Sequence, residues 1–112
     1  MTLKELQEQV DNWIRQYGVR YYAELTNVAL LMEEVGELAR LVACVHGEHS
    51  FKKGTEPADP KEALAEEMGD ILFVLICLAN QMEIDIDHAM MRNLAKKTER
   101  DHLRHRQNPK LQ

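Results

Sequence analysis

The chain contains few residues that interrupt or cross-link a polypeptide. Its 112 residues include only 3 Pro, 5 Gly and 2 Cys, so long uninterrupted helices are favoured. Nothing else in the sequence indicates a disulfide framework. Cys44 and Cys77 each lie in apolar sequence, and we interpret them as reduced, buried thiols of a cytoplasmic protein.

The chain also lacks an excess of basic residues and any long apolar segment. Its formal net charge of -5 provides no basic field for nucleic acid. The longest apolar run, Ile71 to Ala79, is far shorter than the roughly 20 residues of a membrane span. No amino-terminal signal pattern is present. We therefore expect one soluble, cytoplasmic domain over residues 1–112, with neither a nucleic-acid nor a membrane partner.

Four helices account for almost all of the apolar periodicity, and no segment alternates like a strand. The predicted bounds are residues 2–18, about 23–46, 60 to about 82, and 85 onward into a frayed basic tail at about 103–112. Thr2 with Glu5 forms a capping box, and Asp59 precedes Pro60 at the start of the third helix. Residues 47–59 form one long loop. The fold class predicted is all-α, a four-helix bundle.

The third helix is apolar on every side between Ile71 and Ala79. One face of each helix in a monomeric bundle should meet water, so such a helix is expected to be covered by other chains. We predict a homo-oligomer, either a homodimer or a homotetramer.

Acidic residues interrupt the apolar faces of two consecutive helices. In "LLMEEVGELARL", residues 30–41, Glu34 lies within the apolar face and Glu37 lies at its edge. The next helix repeats the pattern in "EEMGD", where Glu67 and Asp70 face the apolar side. Residues three apart share a helix face, and four clustered carboxylates would repel one another. A divalent cation that prefers oxygen ligands, such as Mg²⁺, Mn²⁺ or Ca²⁺, would remove that repulsion. A solvated acidic surface is the alternative.

The two motifs together resemble the MazG family of all-α nucleoside triphosphate pyrophosphohydrolases. The likeness covers about residues 13–100 and includes "EEVGELARL" and "LAEEMGDILFVLICLANQ". It departs from the family pattern in the long spacing between Glu37 and Glu67. The resemblance implies Mg²⁺-dependent hydrolysis, with Mn²⁺ as a substitute, between the α and β phosphates of an NTP or dNTP in nucleotide-pool control or sanitation. It makes Glu34, Glu37, Glu67 and Asp70 the metal ligands, and Glu33 a candidate for activating the attacking water.

Substrate contacts are predicted on the fourth and first helices. By the same resemblance, Asn93, Lys97 and Arg100 on one stripe of the fourth helix are candidates for holding phosphates. The alternative is a plain solvated basic face. Trp13 could stack on the base, or it could simply pack in the core.

Two other functions are compatible with an all-α acidic chain. A di-iron carboxylate bundle needs Glu-x-x-His motifs at mid-bundle, whereas the similar spacings here, Glu99 with His102 and Asp85 with His88, lie near helix ends. A non-catalytic oligomeric adaptor would explain the apolar third helix but not the acids on both apolar faces.

Overall fold

The computed structural model describes residues 1–112 and contains four long helices and no strand. The helices are α1 (Leu3–Trp13), α2 (Glu24–His46), α3 (Pro60–Gln81) and α4 (Ile86–Asp101). A short 3₁₀ helix, Pro109–Leu111, lies in the basic tail. The all-α prediction is confirmed. None of the helices combines the length and the apolarity that a bilayer span needs.

Side-chain caps explain where three of the helices begin. Thr2 Oγ1 accepts a hydrogen bond from the Glu5 N–H at 3.0 Å, and the Glu5 carboxylate accepts one from the Thr2 N–H at 3.2 Å. Asp59 and Asp85 each accept a bond from the backbone N–H three residues later, at 3.2 Å in both cases. These bonds satisfy donors that a helix start leaves free. The predicted helix starts are confirmed to within a residue or two.

The first helix changes its geometry before the predicted end at Gly18. After Trp13 the chain continues as a π-helical turn over Ile14–Gly18. Val19 then adopts φ 72° and ψ -58°, and the Arg20 N–H donates to the Gly18 carbonyl at 2.9 Å. This is the geometry of a γ-turn that is rare for a β-branched residue and costs roughly 1–3 kcal/mol. The turn directs the chain back toward α2 and α3.

Helices α2 and α3 form the main antiparallel pair, and α1 packs against α3. The α1–α3 contact contains a small buried core of Val10, Ile14, Ile76 and Cys77. Burial raises the pKa of the Cys77 thiol to about 11, so this cysteine is a neutral packing group. Cys44 is also a free thiol but is only partly buried.

Helix α4 packs against α1 and has no substantial contact with α2 or α3. The protomer is therefore open, with a radius of gyration of 17.9 Å, whereas a compact domain of this length has about 13 Å. The prediction that Ile71 to Ala79 is buried on most sides holds within the protomer only for Ile76 to Ala79. Leu72 and Leu75 remain exposed at 38% and 44% because no helix of the same chain covers that face of α3.

Candidate active site

Three carboxylates from α2 and α3 converge between the two helices. Glu34, Glu67 and Asp70 each offer an oxygen, and these oxygens all lie within 4.8 Å of one another. Glu67 and Asp70 are neighbours on α3 because residues three apart share a helix face. The antiparallel packing of α2 against α3 brings Glu34 to them. Three of the four acids predicted to converge therefore do so in the fold, and Glu37 does not.

The charge of this cluster is not compensated by protein groups. Glu67 Oε2 is buried and has no hydrogen-bond partner. Three effects raise the pKa of Glu67 to about 7: the hydrogen bond that a protonated Glu67 makes with Glu34, burial, and the charges of Glu34, Asp70 and Glu37. Two ionised carboxylates have no donor between them, so Glu67 must either hold a proton or share a cation. Three carboxylate oxygens around one point are a donor set that fits an oxygen-preferring divalent cation.

The other two acids of the "EEVGE" stretch lie outside this cluster. Glu37 is exposed, and its Oε2 is 3.2 Å from Nη2 of Arg40. It nevertheless remains close enough for its charge to act on Glu67. Glu33 is exposed and forms no ion pair. The cluster also contains no histidine, so the di-iron alternative lacks the ligands that it needs.

A cavity of about 320 Å³ lies beside the carboxylates and is lined mainly by apolar and aromatic side chains. Its walls include Leu30 on α2 and Val74 on α3. Leu30 precedes Glu34 by four residues and Val74 follows Asp70 by four, so each is about 6 Å along its helix from an acid. Because α2 and α3 are antiparallel, Leu30 and Val74 lie on the same side of the acidic cluster. The cavity therefore opens within about one helical turn of the acidic cluster.

Trp13 lies on the wall of this cavity and is not part of the buried core. Its side chain is 49% exposed. Its ring meets Phe73 edge to face, with centroids 5.8 Å apart and planes at 90°, and it also contacts Tyr17 at 5.7 Å. This exposure argues against the core-packing interpretation of Trp13. The prediction that it stacks on a base remains a prediction.

Two polar residues of α2 and α3 at this site were not identified from the sequence. Asn27 is 4% exposed and lines the cavity. Its Nδ2 donates to Oε1 of Gln81 at 2.7 Å, which joins α2 to the end of α3. Asn27 precedes Glu34 by seven residues, so the two lie on the same face of α2. This spacing is the feature of the sequence that could have identified Asn27.

A second cavity of about 420 Å³ lies between α1 and the connection from α3 to α4. Its central polar groups already bind one another. Gln7 Nε2 donates to Asn80 Oδ1 at 3.1 Å, and Asn80 Nδ2 donates to the Tyr21 hydroxyl at 3.0 Å. The Tyr21 hydroxyl donates in turn to Asp11 Oδ1 at 2.6 Å. This network holds α1, α3 and the Tyr21 segment together, and we assign it a structural role.

The predicted phosphate-binding residues do not contact the carboxylates within the protomer. Asn93, Lys97 and Arg100 are all exposed on α4. Arg100 Nη2 lies 2.6 Å from Oδ2 of its neighbour Asp101, and that contact raises the pKa of Arg100. Because α4 packs mainly against α1, these three side chains lie away from the carboxylates and are exposed to solvent.

Relatives of the chain were found among known proteins by sequence. The uncharacterised protein YpjD of Bacillus subtilis (strain 168) is 45% identical over 100 residues, which is 89% of this chain and 86% of YpjD. The uncharacterised protein YvdC of the same strain is 29% identical over 102 residues, which is 89% of this chain and 96% of YvdC.

Solved structures agree with the fold. The crystal structure of YpjD from Bacillus subtilis superimposes with a TM-score of 0.75 and 40% identity, covering 90% of this chain and 97% of that one. The Bacillus-conserved MazG protein, a nucleotide pyrophosphohydrolase, gives a TM-score of 0.69 and 38% identity, covering 86% and 88%. The profile of the MazG nucleotide pyrophosphohydrolase domain matches residues 23–105. The chain belongs to the MazG family of nucleotide pyrophosphohydrolases.

Proposed function

We propose that this protein hydrolyses an NTP or dNTP between its α and β phosphates and releases the monophosphate and pyrophosphate. The reaction depends on Mg²⁺, with Mn²⁺ as a substitute, and serves nucleotide-pool control or sanitation. The observation that carries the proposal is the convergence of Glu34, Glu67 and Asp70 within 4.8 Å, in a member of this family.

Glu34, Glu67 and Asp70 hold the cation. The unpartnered Oε2 of Glu67 supports this assignment, because a buried oxygen without a donor is costly unless an ion or a proton satisfies it. Glu37 becomes the fourth ligand when its side chain leaves Arg40, an exchange that an exposed ion pair permits at little cost. When bound, the cation neutralises phosphate charge and supplies Lewis-acid chemistry.

Glu33 accepts the proton of the attacking water at its carboxylate. It is exposed, it forms no ion pair, and it is adjacent in sequence to the ligand Glu34. A general base must be free to approach the water, and an acid already bound to the cation or to an arginine is not. Glu33 is the acid of the "EEVGE" stretch that meets this condition.

The nucleobase occupies the cavity beside Trp13. The volume of about 320 Å³ is sufficient for a base, and the walls are mostly apolar with few polar groups, as in other small-molecule sites. About half of the Trp13 side chain is exposed and it lines the cavity, so its ring is available for a flat base to stack on. A base held there has its phosphates near the carboxylates, since the cavity and the cluster are about one helical turn apart.

The active form is a homodimer or a homotetramer. Only 9 of 112 residues are buried in the protomer, and the uncovered face of α3 includes Leu72 and Leu75. Association of two copies removes such apolar surface from water. In the assembly, Asn93, Lys97 and Arg100 of one protomer bind phosphates at the carboxylates of its neighbour, because α4 stands away from its own α2–α3 pair.

The experiment that tests the proposal is a side-by-side assay of all common NTPs and dNTPs with Mg²⁺, Mn²⁺ or a chelator. The reactions are run in water enriched in oxygen-18, and the products are identified by phosphorus NMR. We expect pyrophosphate and an oxygen-18 label in the monophosphate, which identifies attack at the α phosphorus. Release of orthophosphate, or turnover that persists in chelator, contradicts the proposal.

A matched pair of variants provides the control. Glu66 and Glu67 are adjacent acids on α3, but Glu66 is exposed and lies outside the cluster. We expect Glu67→Gln to be inactive and Glu66→Gln to retain activity. Equal activity in the two variants would remove Glu67 from the site.

A further inference from the structure

Two polar groups on the wall of the cavity beside Trp13 are already engaged in hydrogen bonds with residues behind that wall. The Tyr21 hydroxyl donates to Asp11 at 2.6 Å and accepts from Asn80 at 3.0 Å. The Tyr22 carbonyl accepts a hydrogen bond from Gln81. A base that enters the cavity therefore finds these two groups occupied, so a free buried acceptor on the wall has a large influence on which base binds.

A chain of hydrogen bonds determines how the Asn27 amide is oriented. The Tyr22 carbonyl can only accept, so Gln81 must direct its NH₂ group there. The Gln81 oxygen is then left as an acceptor, and it lies 2.7 Å from the Asn27 amide. Asn27 must direct its own NH₂ group to that oxygen. Rotation of either amide by 180° would place two acceptors or two donors together, so the orientation follows from chemistry.

This orientation leaves Oδ1 as the atom of the Asn27 amide that has no hydrogen-bond partner. Asn27 is 4% exposed, yet its Oδ1 accepts no hydrogen bond from the protein, whereas its Nδ2 is bound to Gln81. Glu67 Oε2 is the one side-chain polar atom that is both fully enclosed and unpaired, so the unpaired Asn27 Oδ1 is not fully enclosed. Asn27 Oδ1 therefore retains a small accessible area. Because Asn27 lines the cavity beside Trp13, that cavity is the space from which the oxygen can be reached.

We propose that Asn27 Oδ1 reads the nucleobase by accepting a hydrogen bond from an N–H group on the base edge. The inference rests on the proposed function, since it assumes that the cavity holds the base. It names the substrate class as nucleotides whose base directs an amino or imino N–H toward α2. Gln81 is a positioning residue, because it acts on the base only through the Asn27 amide.

The binding test uses nucleosides and the metal-free protein, so it does not depend on catalysis. Trp13 is the single tryptophan of the chain and lines the same cavity, so its fluorescence reports occupancy. Each nucleoside is paired with an analogue that lacks one donor group on the base edge. Adenosine is paired with purine riboside and cytidine with pyrimidin-2-one riboside, which lack the amino group, and uridine is paired with 3-methyluridine, which lacks the imino N–H. For at least one pair, we expect the parent to bind about tenfold more tightly than the analogue.

Two variants separate base reading from structural support. Asn27→Leu keeps the size of the side chain but removes Oδ1, so the tenfold preference should fall to about one. Gln81→Met leaves Asn27 free to rotate, and the preference should become intermediate. A purely structural role for Asn27 would weaken parent and analogue equally and leave their ratio unchanged.

Each possible outcome either supports or contradicts the role of Asn27 in base recognition. Loss of the preference in Asn27→Leu supports the proposal. An unchanged ratio in that variant, no preference in the wild-type protein, or no fluorescence response to any nucleoside overturns it. If Asn27 controls nucleoside binding but no pyrophosphate forms with Mg²⁺ or Mn²⁺, the base-reading role stands and the proposed hydrolysis fails.

Discussion

Glu34 on α2 and Glu67 on α3 face each other with carboxylate oxygens within 4.8 Å. This proximity raises the pKa of Glu67 to about 7, with a hydrogen bond to Glu34 as the largest cause. The folded chain thus keeps two acids in a position that is unfavourable without a proton or a cation between them. Such arrangements are typical of functional sites, where binding relieves an electrostatic cost that folding alone does not.

Substitution of Glu67 by Gln should separate stability from activity. The amide removes a repelling charge, so we expect the metal-free variant to be more stable than the wild type by on the order of 1 kcal/mol. Turnover should fall at least 100-fold by a rough estimate, since even partners of metal ligands are worth about 10–100-fold. Thermal denaturation with chelator and steady-state kinetics with Mg²⁺ measure the two effects. A variant that is both destabilised and active contradicts the ligand assignment.

The stability of the metal-free protein should depend on pH through Glu67. Its pKa is raised from 4.5 to about 7 on folding, so the folded state binds the proton more strongly than the unfolded state. This contribution to the free energy of unfolding is full below pH 4.5 and is lost as the pH rises through about 7.

Thermal denaturation of the wild type and of Glu67→Gln, over the range from about pH 5 to about pH 8, isolates that contribution as a difference. Mn²⁺ must displace the proton, so its stabilising effect on the wild type should grow over the same range. Parallel curves for the two proteins would show that Glu67 titrates normally.

Substitution of Tyr21 by Phe tests the polar network behind α1. The hydroxyl donates to Asp11 at 2.6 Å and accepts from Asn80 at 3.0 Å, and it holds the pKa of Asp11 below its usual value. Removing it leaves partly buried groups unpaired, so we expect a loss of about 1–3 kcal/mol in urea denaturation. Tyr17→Phe is the matched control, because Tyr17 is 65% exposed and its hydroxyl makes no hydrogen bond. Equal losses in both variants would count against the network.

Placing a charge on the uncovered face of α3 should prevent association. Leu75 is 44% exposed in the protomer, and burial of a carboxylate at an apolar interface is strongly unfavourable. We expect sedimentation velocity to give a multiple of 13.0 kDa for the wild type and a single 13.0 kDa chain for Leu75→Glu. Lys61→Glu, exposed at the start of α3, should remain associated. A monomeric wild-type protein contradicts the proposed oligomer.

Mixing two inactive variants tests whether protomers share a site. Glu67→Gln lacks a ligand and Lys97→Gln lacks a phosphate contact, whereas Lys96→Gln should behave as wild type. If Lys97 serves the neighbouring carboxylates, half of a random dimer population contains one intact site, so about a quarter of the wild-type rate should return on co-expression. No recovery beyond the sum of the separate variants would indicate that each protomer uses its own α4.

Local features of the sequence were sufficient to predict the helices. The capping residues Thr2, Asp59 and Asp85 act on donors within three residues, so their effect does not require the rest of the fold. The placement of Glu34 and Glu67 on apolar faces follows equally from helical periodicity. Both predictions depend on residues close in sequence, and both agree with the structure.

Predicting the composition of the site requires the distances between helices, and helical periodicity does not give those distances. Whether Glu37 joins the carboxylates or turns to Arg40 depends on its side-chain conformation, which a helical wheel does not give. The γ-turn at Val19 brings Tyr22 to Gln81. It could not be predicted from the sequence, because valine does not favour a positive φ.

The sequence by itself determined which residues are helical and which acids lie on apolar faces, because those properties arise within a few residues of the chain. Tertiary packing alone decided that Glu34 meets Glu67, that Asn27 turns its oxygen from Gln81, and that α4 stands apart. The physical reason is that these relationships depend on the offset and rotation of helices joined by long-range contacts.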